Sequence, residues 1–479
     1  MSHDNRVLPG HPLGRHAPRP GTAVWLAILA FWAGVSSQAA DSYRPPAPSA
    51  DAQYDAKIQR TMRLLATSTP EHRNAVKILF YGQSITAQKW WKEVADDLRR
   101  RFPHADLQIE NRAIGGFASQ LLVRTAEHDL YPYHPDLLIF HVYGDHRRYE
   151  DIIRRVRQRT TAEIAIWTDH LAAHEKANDA GEYVDEGWTA FMAKWLVENA
   201  RKYDCEIIDI RPEWKRYLKD NNLTPPDLLR DGVHLNDHGC YLLAELIKRR
   251  LVYKPESPAD PNEAVRTYIV GEDIAWTDGR LTLEFTGNRV DVVAAESIGT
   301  SPSVRVLVDD KKPSAFPEAY VITRPSSIHN IWPAVIRVSW AKPLLLEDWT
   351  CRILESDAMG SRFTFEVMGS KTGPDGRGRS GERFVSNSGR VVIDPNDWHL
   401  KRTCEYAKKP VPEDFEIKWK VVPTFTDRYD PPRIDDATRE YATTLVQGIS
   451  NARHTLELIV EPDVTAAIHA IRVYRPPLE

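Results

Sequence analysis

VKILFYGQSIT, Val76 to Thr86, is the stretch whose reading decides the fold. Its first six residues are mostly large apolar or aromatic side chains, the length and composition of a buried strand. Gly82 follows at once, as a sharp strand-to-helix turn requires. Ser84 then stands just beyond the carboxyl end of the strand. In an open α/β sheet that edge is where ligands bind, and a serine there is a candidate nucleophile if a histidine reaches it.

Working outward, the pattern repeats. Residues 107–110, 136–143, 163–168 and 205–210 read as further strands, with helical spacing between them over 51–67, 90–102, 118–130, 149–159, 186–203 and 238–251. Strands that are near-continuously apolar and alternate with helices define a parallel sheet covered on both faces. The expectation is a three-layer α/β/α domain over residues 74–253, behind a linker and N-terminal helix at 41–73. From residue 254 the rhythm becomes one of short alternating segments, at 281–285, 304–308, 335–340, 363–367, 456–460 and 470–474, separated by Gly, Pro and Asp turns. That predicts a mainly antiparallel, jelly-roll-like β-sandwich over 254–479. The Gly-, Ser- and charge-rich stretch 370–389 reads as a long loop. A chain of 479 residues is too long for one ordinary domain, in keeping with this division.

The first forty residues read as an address. Arg15 and Arg19 precede an apolar run from Thr22 to Val35, and Ser-Ser-Gln-Ala-Ala follows. This is the order of a signal peptide, with cleavage expected after Ala39 or Ala40; an uncleaved anchor is the other reading. The mature protein is then secreted or periplasmic, with no membrane span left after cleavage. A net charge of −4 offers no basic face for nucleic acid. The four cysteines, Cys205, Cys240, Cys351 and Cys404, lack the spacing of a zinc site. Pairs 205–240 and 351–404, or four buried thiols, are both compatible with export.

The histidine that Ser84 needs comes after the fifth strand, in DLLRDGVHLNDHG, residues 227–239. Asp231 and His234 are three apart, so one short segment supplies both a base and the carboxylate that orients it. With these residues in view, the chain resembles the SGNH (GDSL-like) hydrolases. Gly82-Gln83-Ser84-Ile85-Thr86 is similar to their first block, with Gln83 in place of the usual Asp. Asn111 to Gly116, NRAIGG, is similar to the second, and Asp231-Gly232-Val233-His234 to the last. The resemblance implies a flavodoxin-like three-layer fold and serine-ester hydrolase chemistry without metal or cofactor. It also implies an oxyanion hole from the backbone N–H groups of Ser84 and Gly116. The third block departs: Tyr143-Gly144-Asp145-His146 puts His146 where the family has an oxyanion-binding Asn.

Asp169 and His170, at the same sheet edge, are candidates for substrate binding, as is Trp90, which with Trp91 opens the helix after the serine turn so that one faces the core and the other borders the site. Trp276, Trp332, Trp340, Trp349, Trp398 and Trp419 are candidate sugar-stacking aromatics of the second domain, which could instead pack on the catalytic mouth. His141, inside the third strand, reads as a core histidine. The reading is an exported serine esterase acting on an acylated carbohydrate or other small ester, O-acetyl groups foremost. Its rival is a non-catalytic glycan-binding protein on a degenerate SGNH fold.

Overall fold

The strand of the opening stretch runs Ala75–Gly82 (β1). It pairs in parallel with Asp106–Asn111 (β2) on one side and Leu137–His141 (β3) on the other. Glu163–Trp167 (β4) and Glu206–Ile208 (β5) extend the sheet beyond β3, giving the order β2-β1-β3-β4-β5 with every pair parallel. This is a computed structural model that describes residues 43–48, 57–257, 263–296 and 301–479. Everything below lies within the unit Pro45–Glu479. The expected signal segment lies outside the described residues, as do positions 51–56 of the N-terminal helix.

Among the described residues eight helices accompany the sheet: Gln59–Ala66 (α1), Ser84–Ala87 (α2), Trp90–Arg101 (α3), Ser119–Asp129 (α4), His146–Arg159 (α5), Gly187–Lys202 (α6), Arg211–Asp220 (α7) and Asp237–Lys248 (α8). Alternation along the strands assigns them to two faces. Ile78, Phe80, Ile139 and Trp167 meet α1, α3, α7 and α8 through Met62, Trp90, Val94, Trp214 and Leu242. Leu79, Tyr81, Phe140 and Ile166 meet α4, α5 and α6 through Leu122, Ile152 and Trp195. Each such side chain contributes about 1.5–3 kcal/mol on burial. Helix α5 starts three residues earlier than expected because Asp145 caps it, accepting from the backbone N–H groups of Arg147 (2.8 Å) and Arg148 (3.4 Å). Among the described residues no helix is long and apolar enough to cross a membrane.

The rest of the chain is β-rich and antiparallel. One sheet has six strands, with Arg280–Ala294 and Ala442–Ile459 as its long central pair. A second has five, centred on Asp348–Ser356. Each of these two sheets has its own buried cluster. The expected strand at 335–340 is not one: its β-pairing is limited to isolated bridges, Val335 to Trp398 and Ser339 to Val392. Its apolar residues serve two cores. Val335 and Val338 face the five-stranded sheet, whereas Ile336, with Trp332, joins the α4–α6 layer of the α/β part. The expected loop at 370–389 contains a strand, Gly373–Arg379, paired with Phe363–Gly369 at the sheet edge. Its glycines and charges suit an exposed edge, and Gly378 lies where a Cβ would stand 2.4 Å from the Phe365 ring. All four cysteines are buried and unbonded.

Candidate active site

Two turns meet at the carboxyl end of β1. At Gly82, φ is +157°, and a Cβ would lie 2.2 Å from the carbonyl oxygen of His141 on β3 and 2.4 Å from Thr86 Oγ1. Only glycine lets the chain leave the sheet so close to its neighbour. The chain then makes the single helical turn α2, which begins with Ser84. The second turn follows β2. Asn111 pins it to the first, donating from Nδ2 to the carbonyl of Thr86 (2.8 Å) while its Oδ1 accepts from the Ala113 N–H (2.9 Å). The Ile114 N–H donates to the Gly82 carbonyl at 3.0 Å. Gly115 is thereby set against the serine, where a Cβ would lie 3.8 Å from Ser84 Cβ, and Gly116 follows with φ +79°.

The segment after α7 brings the other two groups. His234 Nε2 lies 2.9 Å from Ser84 Oγ, and His234 Nδ1 lies 2.9 Å and 3.1 Å from the two carboxylate oxygens of Asp231. Asp231 Oδ1 also accepts from the backbone N–H groups of Val233 (3.0 Å) and His234 (2.8 Å). Those two amides, and then the imidazole, hold the Asp231 carboxyl far below the usual carboxylate range. The short spacing of Asp231 and His234 thus closes a turn on its own carboxylate and aims the ring at the serine.

That turn is braced from both sides by residues that sequence reading passed over or assigned otherwise. Gln88, just past the turn that carries Ser84, donates to the Leu235 carbonyl (2.8 Å) and accepts from the Leu235 N–H (3.1 Å). On the other side His170 Nε2 lies 2.7 Å from the Val233 carbonyl and the Ala173 N–H is 3.0 Å from the Gly232 carbonyl. Arg211 holds the strand-four loop in turn, donating to the His170 carbonyl (3.1 Å) and to Asp185 (2.7 Å) and pairing with Glu175. His170 is therefore not a pocket wall: it is 2% exposed and braces the turn from inside. Trp90 is fully buried, donates to the Ile85 carbonyl at 2.7 Å, and packs edge-on against Phe80 and Trp167; it belongs to the core. Asp169 keeps some exposure, and its Oδ1 lies 2.8 Å from His141 Nε2, too misaligned for a hydrogen bond. His141 is a core residue lying 4.0 Å, centroid to centroid, from Trp167.

Burial pushes His170 down to about 4 from the ordinary 6.5. The unfolded chain takes up this proton as pH falls below 6.5, whereas the folded chain refuses it until about 4. Stability is therefore intact above 6.5 and is lost progressively between those values, by about 3 kcal/mol in all. Melting temperatures at pH 7 and pH 4.5 are expected to fall further in the parent than in His170→Asn. Equal falls would place the acid sensitivity elsewhere.

His146 opens α5 with its ring among Trp188, Phe191 and Trp195 of α6, at centroid distances of 5.8, 5.2 and 5.6 Å. Trp188 and Phe191 are themselves exposed, a ring pair 5.1 Å apart. Of the six candidate tryptophans in the β-rich half, only Trp340 is exposed; Trp332, Trp349 and Trp419 are buried, and Trp276 and Trp398 are partly so.

No family model matches the chain, and no curated protein does. Among solved structures, the chain is similar to a two-domain esterase (CEX) active on acetylated mannans, at 15% identity over 88% of this chain and 98% of that one, with a TM-score of 0.33. It is also similar to the acetyl xylan esterase AlAXEase, at 21% identity over 37% of this chain and 100% of that one, TM-score 0.32. A third is Axe2, an acetylxylan esterase from Geobacillus stearothermophilus, at 17% identity over 39% of this chain and 98% of that one, TM-score 0.33.

Proposed function

We propose that this chain is an exported serine esterase whose substrates are esters on carbohydrate, O-acetyl groups foremost. The observation that carries the reading is the hydrogen-bonded line from Ser84 Oγ through His234 to Asp231. In this reading Ser84 Oγ attacks the ester carbonyl carbon as its proton passes to His234 Nε2. Asp231 holds the Nδ1–H and stabilises the imidazolium. The carbonyl oxygen, now an alkoxide, accepts from the backbone N–H groups of Ser84 and Gly116, with His146 as the third donor that the motif order suggests. Donors already in place before charge develops are worth about 3–4 kcal/mol each. Collapse of the intermediate breaks the bond to the sugar oxygen, which leaves with the proton from His234. Water then attacks the acyl-serine with His234 as base, releasing acetate and restoring Ser84.

Two features support a bulky substrate. The site is open, the side chains of His234 and Asp231 being 26% and 49% exposed, so an ester on a polymer can reach it. The exposed Trp188 and Phe191 offer stacking faces to sugar rings. The N-terminal charged and apolar run supports export to the periplasm or exterior, and the change of rhythm near residue 254 supports a hydrolase domain at 74–253 followed by a β-domain.

The test is acetate release by the mature protein from acetylated xylan and mannan, with hydrolysis of 4-nitrophenyl acetate in parallel. Covalent labelling by a fluorophosphonate, located by peptide mass mapping, is expected at Ser84. Glycan binding with no acetate release and no aryl ester hydrolysis would replace the enzyme by a binding protein on the same fold.

A further inference from the structure

We propose that Trp332, contributed by the β-rich half of the chain, is a positioning residue for the oxyanion donor Gly116. The inference rests on the serine esterase reading of the site and adds to it the part played by the second half. Trp332 Nε1 donates to the Gly115 carbonyl at 2.6 Å. The carbonyl of Gly115 and the N–H of Gly116 belong to one planar, trans peptide unit and point in opposite directions. A donor fixed on the oxygen therefore sets the direction of the N–H. It also polarises the amide, which strengthens the N–H as a donor.

The next peptide is held in the same way, because Arg402 Nη2 donates to the Gly116 carbonyl at 3.2 Å. Two successive carbonyls of a glycine pair are thus both secured from outside the α/β layer. Glycines otherwise leave this turn the freedom to rotate its peptide planes. The indole also occupies the space above the turn: a Cβ on Gly116 would stand 2.8 Å from Trp332 Cζ2. Trp332 is itself locked. It is 7% exposed, His399 meets it at 5.5 Å and the Arg402 guanidinium lies 5.3 Å over its ring, whereas Tyr406, itself exposed, lies 4.8 Å away and takes no part in that hold. An indole so fixed hands its own rigidity to the peptide it touches.

The test uses the full mature chain with Trp332→Phe, which keeps an aromatic ring and removes the donor. Tyr406→Leu serves as the comparison, since it strips the exposed ring from Trp332 and leaves the Nε1 bond. Two readouts are taken: kcat and KM for 4-nitrophenyl acetate, and the Gly116 amide signal in glycine-selective 15N spectra. Trp332→Phe is expected to lower kcat by roughly 10- to 100-fold with KM within about twofold. Its Gly116 amide should shift and exchange faster with solvent, and Tyr406→Leu should change neither readout. Equal losses of kcat in both variants would assign the effect to packing and overturn the proposal, as would an unmoved Gly116 amide in Trp332→Phe. Should Trp332→Phe not fold, the parent itself decides: slow solvent exchange of the Trp332 Nε1–H in 15N spectra upholds the bond to the Gly115 carbonyl, and fast exchange overturns it. If the parent hydrolyses no ester, the esterase reading fails by itself. The amide readout then still decides the contact: a shifted Gly116 signal upholds it and an unmoved one overturns it.

Discussion

Ser84→Ala is expected to lower kcat for 4-nitrophenyl acetate by on the order of 10^6-fold, the scale seen when a serine nucleophile is deleted from such a triad. The substitution removes only Oγ, a half-buried atom at the head of a one-turn helix, so melting temperature should stay within about 2 °C of the parent. His234 would lose its 2.9 Å partner but keep Asp231, and the turn would keep its braces at Gln88 and His170. The loss should therefore appear in kcat and not in fold. Single-turnover rates of purified parent and variant measure it directly. Retention of more than about 1% of parental activity would mean that Ser84 is not the nucleophile.

Asp231→Asn is expected to cost about 10^4-fold in kcat, by a different route. Asp231 Oδ1 already accepts two backbone N–H groups, from Val233 and His234. An asparagine that keeps those bonds must turn its amide nitrogen toward His234 Nδ1. The ring is then forced into the tautomer with its proton on Nε2, facing Ser84, where it cannot accept the serine proton. The imidazolium also loses its compensating charge. In the parent the carboxyl is held far below the ordinary range by those same amides, so it stays charged throughout the working pH range. The rising limb of the parent's pH–rate profile consequently belongs to a group other than Asp231. A variant that kept near-parental kcat at every pH would remove Asp231 from the mechanism.

What the sequence discloses and what it withholds divide along local and non-local lines. The strands β1, β3 and β4 were legible because each is a near-continuous apolar run, and the helices between them because their spacing repeats within a few turns. Ser84, Asp231 and His234 were legible because turn chemistry is written in adjacent residues: Gly82 before the serine, and a carboxylate three residues before the histidine. Helix α7 was missed although Pro212 near its start and Trp214, Tyr217 and Leu218 at helical spacing announce it. Trp90 and His170 could not be assigned correctly, because burial depends on what arrives from elsewhere: Trp167 and Phe80 for one, the Val233 carbonyl for the other. Val335 to Trp340 misled for the same reason. Its alternating pattern imitates a strand, but its apolar residues are shared between two cores. The clamp of Trp332 and Arg402 on Gly115 and Gly116 carries no local signature at all.

Ile336 and Trp332, seated among the side chains of α4 to α6, bear on how the protein is made. Synthesis delivers the parallel sheet and all of its helices first, yet one of the two layers around that sheet stays open until residues far downstream arrive. Contacts so distant along the chain close slowly, because the loop entropy is lost before they form. A nascent chain therefore holds a complete set of reactive groups on an unfinished scaffold. In the proposed esterase, hydrolysis then waits on the emergence of the β-rich half, and a chain cut short between the two halves carries Ser84, Asp231 and His234 without the packing that completes the α4–α6 layer.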